Sequence, residues 1–95
     1  MANSSKQLNK KLHLKAGEQG HLSDLDVGQR AKVLFLHNDN SALRRRLLDM
    51  GITKGVEILV KKMAPFKDPV SIELRGYELC IRRKEMENID VEVIK

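Results

Sequence analysis

The 95-residue chain has one cysteine, Cys80, and no tryptophan. A single thiol excludes an intrachain disulfide and a thiolate metal cluster. Aromatics amount to 3%, one Tyr and two Phe. The core must therefore be aliphatic, and the rings that stack nucleic-acid bases or line polyproline grooves are scarce. No segment approaches the roughly 20 apolar residues of a membrane span. Lysines near the N-terminus are followed by no continuous apolar run, which predicts no secretory leader and a reducing, cytoplasmic setting. A glycine-rich phosphate loop, a nucleophile elbow and a recognisable carboxylate pair are all missing, so the expectation is a non-enzyme. Gly51-Ile52-Thr53-Lys54-Gly55 has the residue types of a phosphate loop without their order.

What is present is 41% hydrophobic residues, enough for one small core and too many for a wholly disordered chain. The net charge of +5 is unevenly placed. Residues 1–20 carry four Lys and one Glu, whereas the remaining 14 basic and 12 acidic side chains nearly cancel. A basic face on the domain itself is what nucleic-acid binding requires, so that reading is weakened. Residues 1–20 show no sustained apolar stripe and are expected to form a flexible basic extension, with the domain running over 21–95.

From His21 onward the pattern is that of short strands. Leu22, Leu25 and Val27 suggest a strand entering a turn. Arg30 to His37 alternates, with Ala31, Val33 and Phe35 on one face and Leu34 and Leu36 on the other. His37 to Asn40 is a turn cluster. Ser41 suits a helix N-cap, and Leu43, Leu47 and Met50 form one helical stripe. Gly51 sits where a helix-ending residue takes positive φ. Thr53-Lys54-Gly55-Val56 fits a type II turn. Val56, Ile58 and Val60, then Val70, Ile72 and Leu74, then Leu79 and Ile81 give alternating strands, with Gly76-Tyr77 as a turn and Cys80 outward. One helical turn at Lys84–Asn88 precedes a closing strand at Ile89, Val91 and Val93. The fold expected is mainly β: a small SH3-like barrel of five or six strands with one inserted short α-helix at about residues 41–50.

Several stretches resemble the FeoA family of small proteins that accompany bacterial ferrous-iron transport. They are Arg45-Arg46-Leu47-Leu48-Asp49-Met50-Gly51-Ile52-Thr53, Gly55, Ala64-Pro65, Asp68-Pro69, and Arg75-Gly76-Tyr77 with Leu79 and Arg82-Arg83. The resemblance spans Leu22 to Val93. Lys54 stands where the family often has Pro, and Lys67 where Gly is frequent. The resemblance implies a cytosolic accessory role beside the membrane ferrous-iron permease, through contact with its G-protein domain, with no catalysis. Similar barrels form the C-terminal module of metal-dependent repressors, so a free-standing metal-responsive module is an alternative, as is a nucleic-acid-binding barrel.

Residues proposed for partner contact are Arg44, Arg45, Phe66 and Tyr77. Phe66, between two prolines, is either a lid on the barrel or an exposed anchor; Tyr77 is expected to pack with its hydroxyl at the surface. Three consecutive arginines span about 200° of a helix and cannot all address one ligand. Arg45 and Arg46 precede Asp49 by four and three residues, which suggests a structural salt bridge. Gly51, Gly55 and Gly76 are read as turn glycines. For Fe²⁺ or another transition metal the candidate ligands are His13, His21, His37, Cys80 and scattered carboxylates, of which His21, His37 and Cys80 are the weak choices; none has the spacing of a local motif, so no tight site is expected in the isolated chain. No cofactor is required by the pattern, and a cluster assembled only by the fold stays open.

Overall fold

The computed structural model describes residues 14–37, 39–66 and 68–94. Strand β1 (Gln19–His21) runs into a 3₁₀ turn (Leu22–Asp24) and then β2 (Arg30–Leu36). Helix α1 (Ser41–Asp49) follows, then β3 (Glu57–Met63), β4 (Val70–Leu74) and β5 (Tyr77–Ile81). A one-turn helix α2 (Arg83–Met86) leads into β6 (Ile89–Val93). The six strands form one antiparallel sheet in the order β1-β6-β2-β3-β4-β5. Register shifts at Val33/Phe35 and at Val60/Lys62 interrupt the ladders; such bulges bend and twist a strand, which lets a short sheet curl around its own core.

That core is aliphatic. Val33, Ile58, Val60, Ile72, Ile89 and Val91 fill it from the strands, Leu47 from α1 and Met86 from α2. Leu22 and Leu25 are also buried, but from the 3₁₀ turn and the residue after it rather than from the expected strand. β2 departs from strict alternation in the way a bulge dictates. Ala31 and Val33 point inward, the register then shifts, and Leu36 becomes the buried residue while Phe35 turns out, 54% exposed.

The domain begins earlier than His21. Leu14 packs on the core, Gln29 Nε2 donates to the Leu14 carbonyl at 2.7 Å, and Gly17 N–H donates to the Val93 carbonyl at 2.7 Å. β1 then pairs Gln19 with Glu92, Gly20 with Val91 and His21 with Asp90. A three-residue strand with one glycine is held by backbone hydrogen bonds and shows no apolar pattern in sequence. The expected extension is corrected for residues 14–20; residues 1–13 lie outside the described part.

Candidate functional site

Helix α1 is capped by Asn40, whose Oδ1 accepts from the Leu43 N–H at 3.0 Å, so the N-cap is one residue earlier than Ser41. Leu47 is buried, with Leu43 and Met50 packed on the core beside it. The helix ends in a Schellman motif. Ile52 N–H donates to the Leu47 carbonyl at 3.0 Å and Gly51 N–H to the Leu48 carbonyl at 2.9 Å, with Gly51 at φ +92°. Gly55 and Gly76 also have positive φ, +90° and +86°. The β4–β5 loop is Arg75-Gly76, both with positive φ as two-residue hairpins favour, and Tyr77 is already in β5.

This hairpin tip docks on the end of α1. The Tyr77 hydroxyl donates to the Met50 carbonyl, and Arg75 Nη2 donates to Thr53 Oγ1 at 2.9 Å. Two separate stretches of the sequence pattern, Asp49–Thr53 and Arg75–Tyr77, thus form one structural unit. Tyr77 is partly exposed, but its hydroxyl serves the fold rather than standing free at the surface.

The expected Arg45/Arg46–Asp49 salt bridge is replaced. Among the described residues neither arginine lies within ion-pair distance of Asp49. Arg46 Nη1 instead reaches Glu85 Oε2 at 2.7 Å. Glu85 is charged yet buried beside the core, and its Oε1 accepts from the Arg82 N–H at 3.0 Å. A carboxylate taken out of water needs such partners, which is why Arg46 crosses to α2 instead of pairing along its own solvated helix. Between the two helices lies a groove of about 550 Å³, with Leu43, Arg46, Arg82, Lys84 and Glu85 among its lining.

The β3–β4 loop joins the same face. Asp68 Oδ1 accepts from the Arg83 N–H at 2.9 Å, and Ala64 N–H donates to the Pro69 carbonyl at 3.1 Å. The Asp68–Pro69 peptide is cis. Phe66 at the tip is 93% exposed, so it is no lid on the barrel. Arg45 is exposed and Arg44 half-buried on α1. Loop, α2 and α1 form a continuous strip, linked by Asp68 to Arg83 and by Glu85 to Arg46.

A second cluster lies elsewhere. His21 at the end of β1, His37 just beyond β2 and Asp90 on β6 meet on the outer side of the sheet. Cys80 is not among them; it sits exposed on β5, the opposite edge strand. Asp90 escapes a reading of the sequence because its pairing with His21 exists only once β1 is recognised as a strand. His13 lies outside the described residues.

A curled antiparallel sheet with one helix inserted between its second and third strands defines an SH3-like small barrel. The chain belongs to the FeoA domain family, whose description matches residues 20–93. It is 34% identical over 73 residues to the Fe(2+) transport protein A/Fe(2+) transporter FeoB fusion protein of Porphyromonas gingivalis, covering 77% of this chain and 8% of that protein. The chain therefore spans less than a tenth of that relative's length. The solution structure of a FeoA-like protein from Clostridium acetobutylicum matches with TM-score 0.76 and 36% identity, covering 82% of this chain and 90% of the other. The Stenotrophomonas maltophilia FeoA structure, complexed with zinc and described as a procaryotic SH3 domain protein, matches with TM-score 0.67 and 25% identity over 76% and 88% of the two chains. Among the described residues no helix is long and apolar enough to cross a membrane.

Proposed function

We propose that this chain is a cytoplasmic accessory protein of bacterial ferrous-iron transport that acts without catalysis, by docking on the cytosolic G-protein region of the membrane iron permease. The observation that carries this reading is the Porphyromonas gingivalis relative, in which Fe(2+) transport protein A and the transporter FeoB are one polypeptide. Covalent fusion keeps two parts at high effective concentration, which benefits partners that work in contact. The strip from the β3–β4 loop across α2 to α1 supplies the surface. It presents an exposed aromatic, Phe66, on the loop that Asp68 ties to α2, together with a groove lined in part by Arg46, Arg82 and Lys84. An aromatic anchor with a basic rim suits an acidic protein face.

The test is a kinetic titration of the permease's cytosolic region onto the chain, at low and at elevated salt. Arg44 lies outside that groove, beside Arg45, Leu48 and Asp49 on α1, where it adds to the positive field without anchoring the contact, so Arg44→Glu is expected to slow association roughly threefold to tenfold and to flatten its salt dependence, with dissociation little changed. No binding by the wild type, or association indifferent to both salt and substitution, contradicts the reading. Salt-sensitive binding to RNA or DNA in its place makes the chain a nucleic-acid-binding barrel.

A further inference from the structure

We propose that His21, His37 and Asp90 form a site for one exchangeable divalent transition-metal ion, strapped across three adjacent strands of the sheet. The proposal stands independently of the partner reading, since the residues lie outside the loop–α2–α1 strip.

The placement follows from register. His21 on β1 and Asp90 on β6 are direct cross-strand partners, and Phe35 on β2 is paired with Asp90 from the other side. Side chains alternate along a strand, so His37, two residues past Phe35, falls on the same outer side. The bulge at Val33/Phe35 is what turns Phe35 and His37 outward instead of into the core. Phe35 then packs edge-on against the His37 ring at a centroid separation of 5.5 Å.

The distances suit a metal. His37 Nε2 lies 3.0 Å from Asp90 Oδ1, and His21 Nε2 lies 3.5 Å from the same oxygen. Nitrogen and oxygen ligands at bonds of about 2.0–2.1 Å in a tetrahedron are about 3.3 Å apart, between those two values. One ligand atom from each residue lies within 4.8 Å of the other two. Small rotations of two partly exposed imidazoles bring the remaining edge to length. With Nε2 on the metal, each imidazole carries its proton on Nδ1, and for His21 that nitrogen faces Asp24 Oδ2 at 3.8 Å. At that distance the carboxylate is a charged neighbour of the ring and not its hydrogen-bond partner. Asp24 is itself held in place by the His21 N–H at 3.0 Å.

The donor set names the class of ion. Two imidazoles and one carboxylate suit Zn²⁺, Fe²⁺, Co²⁺ or Ni²⁺, whereas Mg²⁺ and Ca²⁺ prefer oxygen alone. Three protein ligands leave positions for water, and the partial exposure of all three side chains makes the ion exchangeable rather than structural. Binding would also secure β1, an edge strand of three residues, to β6 and β2.

The experiment is calorimetric titration of the full chain with Zn²⁺, alongside Co²⁺ absorption spectra and amide hydrogen exchange. The wild type is expected to bind one equivalent, with a Co²⁺ spectrum free of thiolate charge-transfer bands. Exchange of the Gln19–His21 amides should slow at least threefold on adding metal. His37→Ala and Asp90→Asn should each weaken binding at least tenfold, while Cys80→Ser and His13→Ala leave it unchanged. All three ligands are at the surface, and unaltered amide spectra of the variants establish that the barrel is intact. Absence of one-equivalent binding overturns the site. So does binding that survives both ligand substitutions, or that disappears in Cys80→Ser.

Discussion

Gly51→Ala, just past the end of α1, is expected to lower the melting temperature by roughly 10–20 °C. Gly51 has φ +92°, a conformation that costs an L-residue about 1–2 kcal/mol. A Cβ placed there would lie 2.7 Å from the Tyr77 hydroxyl. That hydroxyl would have to withdraw from the Met50 carbonyl, forfeiting a hydrogen bond worth about 1 kcal/mol. The two contributions sum to about 2–3 kcal/mol, which in a domain of this size corresponds to the stated shift. Gly55→Ala is the internal control. Its φ is +90°, yet an added methyl group there would meet nothing within 4 Å, so it should show the backbone cost alone. Thermal unfolding by circular dichroism measures both. Equal losses at the two positions would remove the hairpin-to-helix contact from the account.

Phe66→Ala is expected to speed dissociation from the permease's cytosolic region at least about 30-fold, leaving association nearly unchanged. A buried aromatic anchor contributes on the order of 2 kcal/mol or more at an interface, and about 1.4 kcal/mol is tenfold in affinity. Pro65 and Pro69 each fix one φ of the loop, which reduces the freedom lost on docking. Because Phe66 is 93% exposed in the free chain, its removal should leave thermal stability within about 0.5 kcal/mol of the wild type. The kinetic titration thus separates an interface role from a folding one. An unchanged dissociation rate would move the anchor off this loop.

How far these features can be read from sequence depends on the range of the interaction that creates them. Gly51 is legible because a helix stop is local: the stripe of Leu43, Leu47 and Met50 ends where a glycine follows. The Thr53–Val56 turn is legible for the same reason, and Val56 N–H does donate to the Thr53 carbonyl at 3.1 Å. Alternation alone puts Phe35 on the wrong face because it assumes an unbroken ladder, and a bulge is decided by the partner strand β6. Spacing alone pairs Arg46 along its helix because i, i+3 geometry is visible in sequence, whereas the burial of Glu85, 39 positions away, is not. His21 and His37 look like unrelated turn residues in the sequence. Their approach depends on β1, a strand too short and too polar to announce itself, and with it comes Asp90, which no spacing rule would select.

The central claim is that the strip formed by the β3–β4 loop, α2 and α1 receives the permease. The measurement that tests it most directly is the backbone amide spectrum of the isotope-labelled chain during titration with the permease's cytosolic region. The account predicts shifted or broadened signals confined to Ala64–Asp68, Arg82–Lys84 and the exposed face of α1 around Arg44 and Arg45, with β1 and β6 unmoved. A footprint centred on β1, β6 or the outer face of β2, or no change at saturating partner, would contradict it.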